Sequence, residues 1–272
     1  MSAFEAIVLG LVQGLTEFLP ISSSGHLRIV PAFFGWDDPG AAFTAIIQLG
    51  TMAAVLVYFR ADLWRIALAW LRSVRARENP PRNQDARLGW YIILGTIPIA
   101  VLGLAFKDPI ENEFRNLELI GTMLILFSFV MLRAEARSRR NRTLEELDRR
   151  DGLLIGLAQA LALVPGVSRS GATISAGLLL DFDRTAAARY SFLLSVPAVV
   201  LSGLFELRHI GEGGGAAPGA TALATVVAFV TGYASIAFLL RYLARHSIAV
   251  FVGYRVALGA LVIALAASSA IS

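Results

Sequence analysis

The sequence contains no cysteine, which excludes disulfides, zinc–thiolate sites and a thiol nucleophile. Charge is also scarce. Only 16% of the residues are charged, where a soluble domain carries about 25%. What fills the gap is apolar: 56% hydrophobic residues and a mean hydropathy of +0.66 over 272 residues. Lipid is the main solvent of such a chain, and a single membrane domain over 1–272 is expected. The stretch Met1 to Leu15 has no basic n-region and no small-residue cleavage site, and it carries Glu5, so a removable signal peptide is not expected.

A net charge of +4 and a pI near 9.8 would suggest nucleic-acid binding in a soluble protein. Here the arginines fall between apolar runs, so they read as topology and no nucleic-acid partner is expected. Arg60, Arg65, Arg72, Arg75, Arg77, Arg82 and Arg87 crowd the 60–89 segment, taken as a loop. Arg133, Arg137, Arg139, Arg140, Arg142, Arg149 and Arg150 crowd 133–150. Both segments are expected on the cytoplasmic side, with Arg241 and Arg245 marking a third inner turn. The 107–116 and 207–219 loops are then outer.

A spanning helix needs about 20 apolar residues. Six segments approach this, at roughly 42–59, 90–106, 117–133, 186–206, 220–242 and 249–268. Several look short, which points to tight packing or a thin bilayer. Two further apolar stretches are interrupted. Phe4 to Phe34 is broken at Pro20 and Ser22-Ser23-Ser24-Gly25-His26; Leu153 to Leu180 is broken at Pro165-Gly166 and Ser168-Arg169-Ser170-Gly171. Broken backbone is not tolerated in lipid unless protein or a wet cavity surrounds it. Each stretch is therefore expected to form a re-entrant helical hairpin with a polar tip.

The two stretches resemble each other. Aligning Gln13 with Gln159, 146 positions later, needs no gap; it also pairs Gly10 with Gly156, Ser22 with Ser168, Ser24 with Ser170 and Gly25 with Gly171. Three spans per half force the halves to opposite orientations. The expected fold is thus an all-α polytopic membrane protein: six transmembrane helices and two re-entrant hairpins in an inverted repeat. Its halves are roughly 1–133 and 151–272, joined by the basic loop, with the polar tips meeting near the midplane.

Those tips carry the chemistry. Gln13 and Glu17 are four residues apart, on one helical face, and a carboxylate inside a membrane is functional by default. Their oxygens suit a hard divalent cation such as Mg²⁺ or Ca²⁺. Ser22, Ser23 and Ser24 can cap a helix or act chemically, and His26 beside them can serve as acid, base or nucleophile. In the second tip Arg169 offers a planar fork for phosphate, among the hydroxyls of Ser168, Ser170 and Thr173, while Gly171 permits close backbone approach. A phosphate-bearing ligand is the natural occupant.

The motifs resemble those of the undecaprenyl-diphosphate phosphatase, or bacitracin-resistance, family. They occur in order as Gln13 to Glu17, Ser22 to His26 and Pro165 to Thr173, with further similarity at Ala188 to Pro197 and Phe251 to Arg255. The resemblance implies a metal-dependent phosphatase of the bacterial plasma membrane. Its site would open to the outer, periplasmic side and convert undecaprenyl diphosphate to undecaprenyl phosphate for cell-wall synthesis. It gives functional status to Glu17, His26, Ser22, Ser23, Ser168, Arg169, Ser170 and Thr173. Ser23, His26 and water stay open as nucleophile, and monomer and homodimer stay open as assembly. The acid-phosphatase type of lipid phosphatase does not match, because Ser175 stands where its histidine should be. Broken helices meeting at the midplane are also a transporter signature, so a flippase of a polyprenyl phosphate lipid is the rival reading.

Overall fold

The computed structural model describes residues 1–78, 81–106, 116–206 and 218–271, with backbone only at 41, 42 and 202–206. The expected outer loops at 107–116 and 207–219 fall almost wholly outside the described residues. Among those residues the chain is helical, and the only β-type pairing is an isolated bridge between Arg142 and Phe182.

The first half comprises α1 (Ala3–Phe18), α2 (Ser23–Phe34), α3 (Gly40–Tyr58), α4 (Arg60–Arg75), α5 (Gln84–Ala105) and α6 (Leu117–Arg137). The second comprises α7 (Arg149–Ala160), α8 (Arg169–Leu179), α9 (Arg184–Glu206), α10 (Pro218–Leu243) and α11 (Ala249–Ala267). Each of the six apolar segments expected to span is one helix. Four of them (α5, α6, α10 and α11) are long and apolar enough to cross a membrane, and α3 joined to α4 makes a bent fifth candidate. The protein is therefore a multi-pass α-helical membrane protein.

Two expectations need correction. Two of the spans that looked short are not: α5 has 22 residues and α6 has 21, while α3 has 19. At 1.5 Å per residue α5 and α6 are each about 32 Å long, enough for a hydrocarbon core of about 30 Å. The sequence windows stopped too early because Arg133 and Arg137 extend α6 past its apolar run, and α5 begins at the Asn83 cap, before its apolar run. Nor is 60–89 a simple loop. Its first part is α4, turned 77° from α3. Ile66 and Ser73 are buried on one side of α4, whereas Trp64, Leu71 and Val74 are exposed on the other. That pattern has helical period and was hidden by the arginines.

Each hairpin is also tied at the end away from its break. Phe4 and Trp36 bring the start of α1 and the end of α2 together, with ring centroids 6.2 Å apart. At the opposite end, Arg142 binds both Asp151 of α7 and the Leu180 carbonyl after α8. Arg189 with Asp62, Arg65 with Asp85, and Arg184 with Glu135 lie at this same basic end.

Packing exchanges between the halves. α1 packs on α10 and α7 on α5; α3 packs on α10 and α9 on α5; α3 meets α9, and α6 meets α11. Glycine permits the closest approaches. A Cβ on Gly14 would stand 2.8 Å from the Ala228 carbonyl oxygen, and one on Gly156 would stand 2.3 Å from Gly95 Cα.

Candidate active site

The two breaks are built alike because the local sequence is alike. Ser22 and Ser168 cap α2 and α8, each receiving a backbone N–H three residues on, from Gly25 and Gly171. Both serines sit in the left-handed region, at φ 76° and 77°. A non-glycine residue is strained there, and the surrounding structure must hold it. The tips hold each other: Gly166 N–H donates to Ser22 Oγ at 3.1 Å, and Ser170 Oγ donates to the Leu19 carbonyl at 3.0 Å.

Glu17, at the last turn of α1, is the centre of the site. Arg169 Nη2 donates to its Oε1 at 2.5 Å, with side-chain exposures of 15% for the arginine and 5% for the acid. Ser23 Oγ donates to Oε2 at 2.6 Å, Gln13 Nε2 to Oε2 at 3.0 Å and Gln48 Nε2 to Oε1 at 3.4 Å. In lipid a lone carboxylate is forbidding; here four donors satisfy its two oxygens. The other donors of Arg169 bond to no described residue. They border a small cavity walled by Met52 and Val55 of α3 and Val196 and Val199 of α9.

Not every expected residue takes its expected place. Gln13 presents its amide N–H to Glu17 and Thr51, rather than its oxygen to a shared cation as the spacing suggested. Its Oε1 is buried with no partner among the described residues. His26 bonds to neither Glu17 nor Arg169. Its Nδ1 lies 2.7 Å from the Ser22 carbonyl, which can only accept, so Nδ1 carries the proton; Nε2 lies 2.7 Å from Tyr254 Oη. Ser24 is exposed and bonds to Ser22 at 3.4 Å. Thr173 is fully buried, on the Arg169 carbonyl and Ser191 Oγ, and so shapes the first turn of α8.

Four participants were not singled out from the sequence. Gln48 and Thr51 lie in an apolar span, spaced three apart on the face that meets Glu17 and Gln13. Tyr254 and Arg255 lie in α11, within the stretch that carried family similarity but no assigned role. Arg255 is fully buried.

Among the described residues Glu17 is the single carboxylate at the site, which limits what could hold a divalent cation. Among the described residues no group of three His, Asp or Glu side chains could hold a metal. An all-protein cage does not fit. A Mg²⁺-type ion bound by one or two protein oxygens and completed by phosphate and water does fit: Glu17 supplies a carboxylate, and Gln13, whose N–H meets that carboxylate, carries a buried oxygen with no partner among the described residues.

The fold and this site define a polytopic membrane protein whose buried polar centre pairs an acid at the end of α1 with a guanidinium at the start of α8, a setting for phosphate chemistry. The chain belongs to the family described as bacitracin resistance protein BacA, whose model matches residues 6–261. It is 56% identical over 269 residues to a protein named undecaprenyl-diphosphatase from a Nocardioides species, covering 98% of both chains. It is 57% identical over 290 residues to undecaprenyl-diphosphatase 3 of Frankia alni, covering 100% of this chain and 97% of the relative. With undecaprenyl-diphosphatase of Thermobifida fusca it shares 55% identity over 265 residues, covering 97% and 90%.

Proposed function

We propose that this protein hydrolyses undecaprenyl diphosphate to undecaprenyl phosphate and inorganic phosphate, returning the carrier lipid to cell-wall synthesis. The observation that carries this reading is the Ser23 hydroxyl set on the Glu17 carboxylate, with Arg169 on the other oxygen of the same group. A nucleophile hydrogen-bonded to a base, beside a cationic fork, is the arrangement that phosphoryl transfer requires. A lipid carrier needs no hydroxyl aligned on a carboxylate, so the bond favours hydrolysis over flipping.

In this reading the diphosphate sits over the starts of α2 and α8, whose free N–H groups and dipoles favour anions. Arg169 turns its unused donors to equatorial oxygens of the transferred phosphorus. Ser23 Oγ attacks as Glu17 takes its proton, and undecaprenyl phosphate leaves; water then releases phosphate from Ser23. His26, with Nδ1–H fixed on Ser22, exchanges protons at Nε2 by way of Tyr254. A divalent cation held by Glu17 and the Gln13 oxygen would screen the diphosphate and polarise the breaking P–O bond. The tail lies between α3 and α9, against Met52, Val55, Val196 and Val199. Purified protein in detergent should release inorganic phosphate from undecaprenyl diphosphate, whereas a pure flippase would release none.

Gln13→Glu tests the cation. Two carboxylates in hydrogen-bond contact repel unless a cation joins them. Turnover is expected to fall at low Mg²⁺ or Ca²⁺ and to recover to within about tenfold of wild type at saturation. A cation titration that superimposes on wild type would remove Gln13 from the ligand set.

The membrane arrangement proposed is six spans (α3, α5, α6, α9, α10 and α11) with α1–α2 and α7–α8 as re-entrant hairpins in an inverted repeat. The exchanged packing and the matched strain at Ser22 and Ser168 support it. The basic end is cytoplasmic and the site opens to the outer side. Cysteines introduced at exposed Asp37 and Ala76 test this. In intact cells an impermeant thiol reagent should label Asp37→Cys and not Ala76→Cys; the opposite result inverts the protein.

A further inference from the structure

Arg255 stands in the middle of an apolar helix with none of its side chain exposed, and no carboxylate pairs with it among the described residues. Such a charge is expensive to bury and is retained only where its donors are used. They are used on backbone and hydroxyl groups alone. Nη1 reaches the Pro20 carbonyl at 3.3 Å, and Nη2 reaches the Gly166 carbonyl at 2.8 Å and the Met123 carbonyl at 3.5 Å. Nε reaches Ser128 Oγ at 3.1 Å. Pro20 belongs to the break of the first hairpin, three residues from Glu17 and three from Ser23. Gly166 belongs to the break of the second, three residues from Arg169. One guanidinium therefore holds both tips at once, and its planar geometry fixes their separation.

We infer that Arg255 is a positioning residue of the active site: it clamps the two hairpin breaks so that Glu17 and Ser23 from one face Arg169 from the other. The inference rests on the diphosphatase reading above and deepens it. The clamp acts through Ser23, Glu17 and Arg169 and does not itself touch the lipid. Its neighbour Tyr254 ties the same turn of α11 to His26, so α11 serves as a common strut for both tips.

Three variants assayed for phosphate release in detergent test the clamp, each checked by size-exclusion profile and thermal unfolding. Arg255→Lys keeps the charge but cannot span carbonyls on both sides of a plane. Misplacement by about 1 Å can lower a rate by about 10². Arg255→Lys is thus expected to lose on the order of 10² in kcat with KM little changed. Arg255→Met removes the buried charge at similar volume. A folded Arg255→Met protein with wild-type kcat overturns the clamp. The clamp predicts a folded Arg255→Met protein with kcat at least as low as that of Arg255→Lys. Should both misfold, Ser128→Ala removes the Nε partner together with the Ser128 donation to the Leu124 carbonyl; it is expected to lower the unfolding temperature modestly and kcat several-fold in the folded protein, and an unchanged kcat overturns the inference. Combined with Arg169→Lys, the Arg255→Lys loss should largely disappear, because both act on one placement, whereas multiplying losses would show that Arg255 acts elsewhere. If the wild-type protein releases no phosphate, the diphosphatase reading itself fails, an outcome distinct from an active wild type with unaffected variants.

Discussion

Arg169→Lys is expected to fold and to lose about 10²–10³ in kcat, the usual effect of removing one preorganised donor from developing charge. Lysine keeps the positive charge opposite Glu17, so the buried pair persists and the protein should still insert. What it loses is the fork. Arg169 uses one arm on Glu17 Oε1 at 2.5 Å and leaves the others for phosphate. An ammonium cannot hold the acid and grip two equatorial oxygens in one plane. Arg169→Ala should be worse in a different way. It strands a carboxylate that is 5% exposed, and breaking a buried pair costs about 3–5 kcal/mol. Lower expression and a lower unfolding temperature are expected together with lost turnover. The measurement is specific activity per folded molecule, with folding judged by size-exclusion profile and thermal unfolding. A well-folded Arg169→Lys protein with wild-type kcat and KM would remove Arg169 from the phosphate site.

Glu17→Gln is expected to remove nearly all turnover. Glu17 accepts from Arg169, Ser23, Gln13 and Gln48. An amide in its place has one acceptor oxygen and an NH₂ group that must face one set of those donors. Ser23 then loses its base, and loss of general-base assistance is worth about 10²–10⁴ in rate. Arg169 loses its counter-charge at the same time. Two observations separate these effects. If Glu17 is the base, raising the pH should restore part of the Glu17→Gln rate; if it acts only through a cation, excess Mg²⁺ or Ca²⁺ should. Near-normal turnover under standard conditions would contradict both roles.

Much of this was legible in the sequence, for reasons that differ by residue. The hairpin breaks could be read because proline, glycine and serine runs cannot lie bare in lipid, and Ser22 and Ser168 do cap the two returning helices. The repeat could be read because the tips share a register of 146 residues. That register also pairs Ser23 with Arg169, so the site brings together two positions that match in the proposed repeat. Gln48 and Thr51 were hidden, because single polar residues in an apolar span have no spacing that announces a partner 31 or 38 residues away. Arg255 was hidden more thoroughly. Three of its four acceptors are main-chain carbonyls, which every residue possesses and no side-chain pattern reports. The helix α4 was hidden because its arginines mask the period of Ile66 and Ser73.

The central claim is that one active site is shared between the tips, with its acid from the first half and its guanidinium from the second. A double-mutant cycle on kcat for phosphate release tests it most directly, using Glu17→Asp and Arg169→Lys, which keep both charges and shorten both side chains. Groups that act as one unit are non-additive, so the double variant is predicted to be about as slow as the slower single variant. Losses that multiply independently would place Glu17 and Arg169 in separate functions and contradict the shared site.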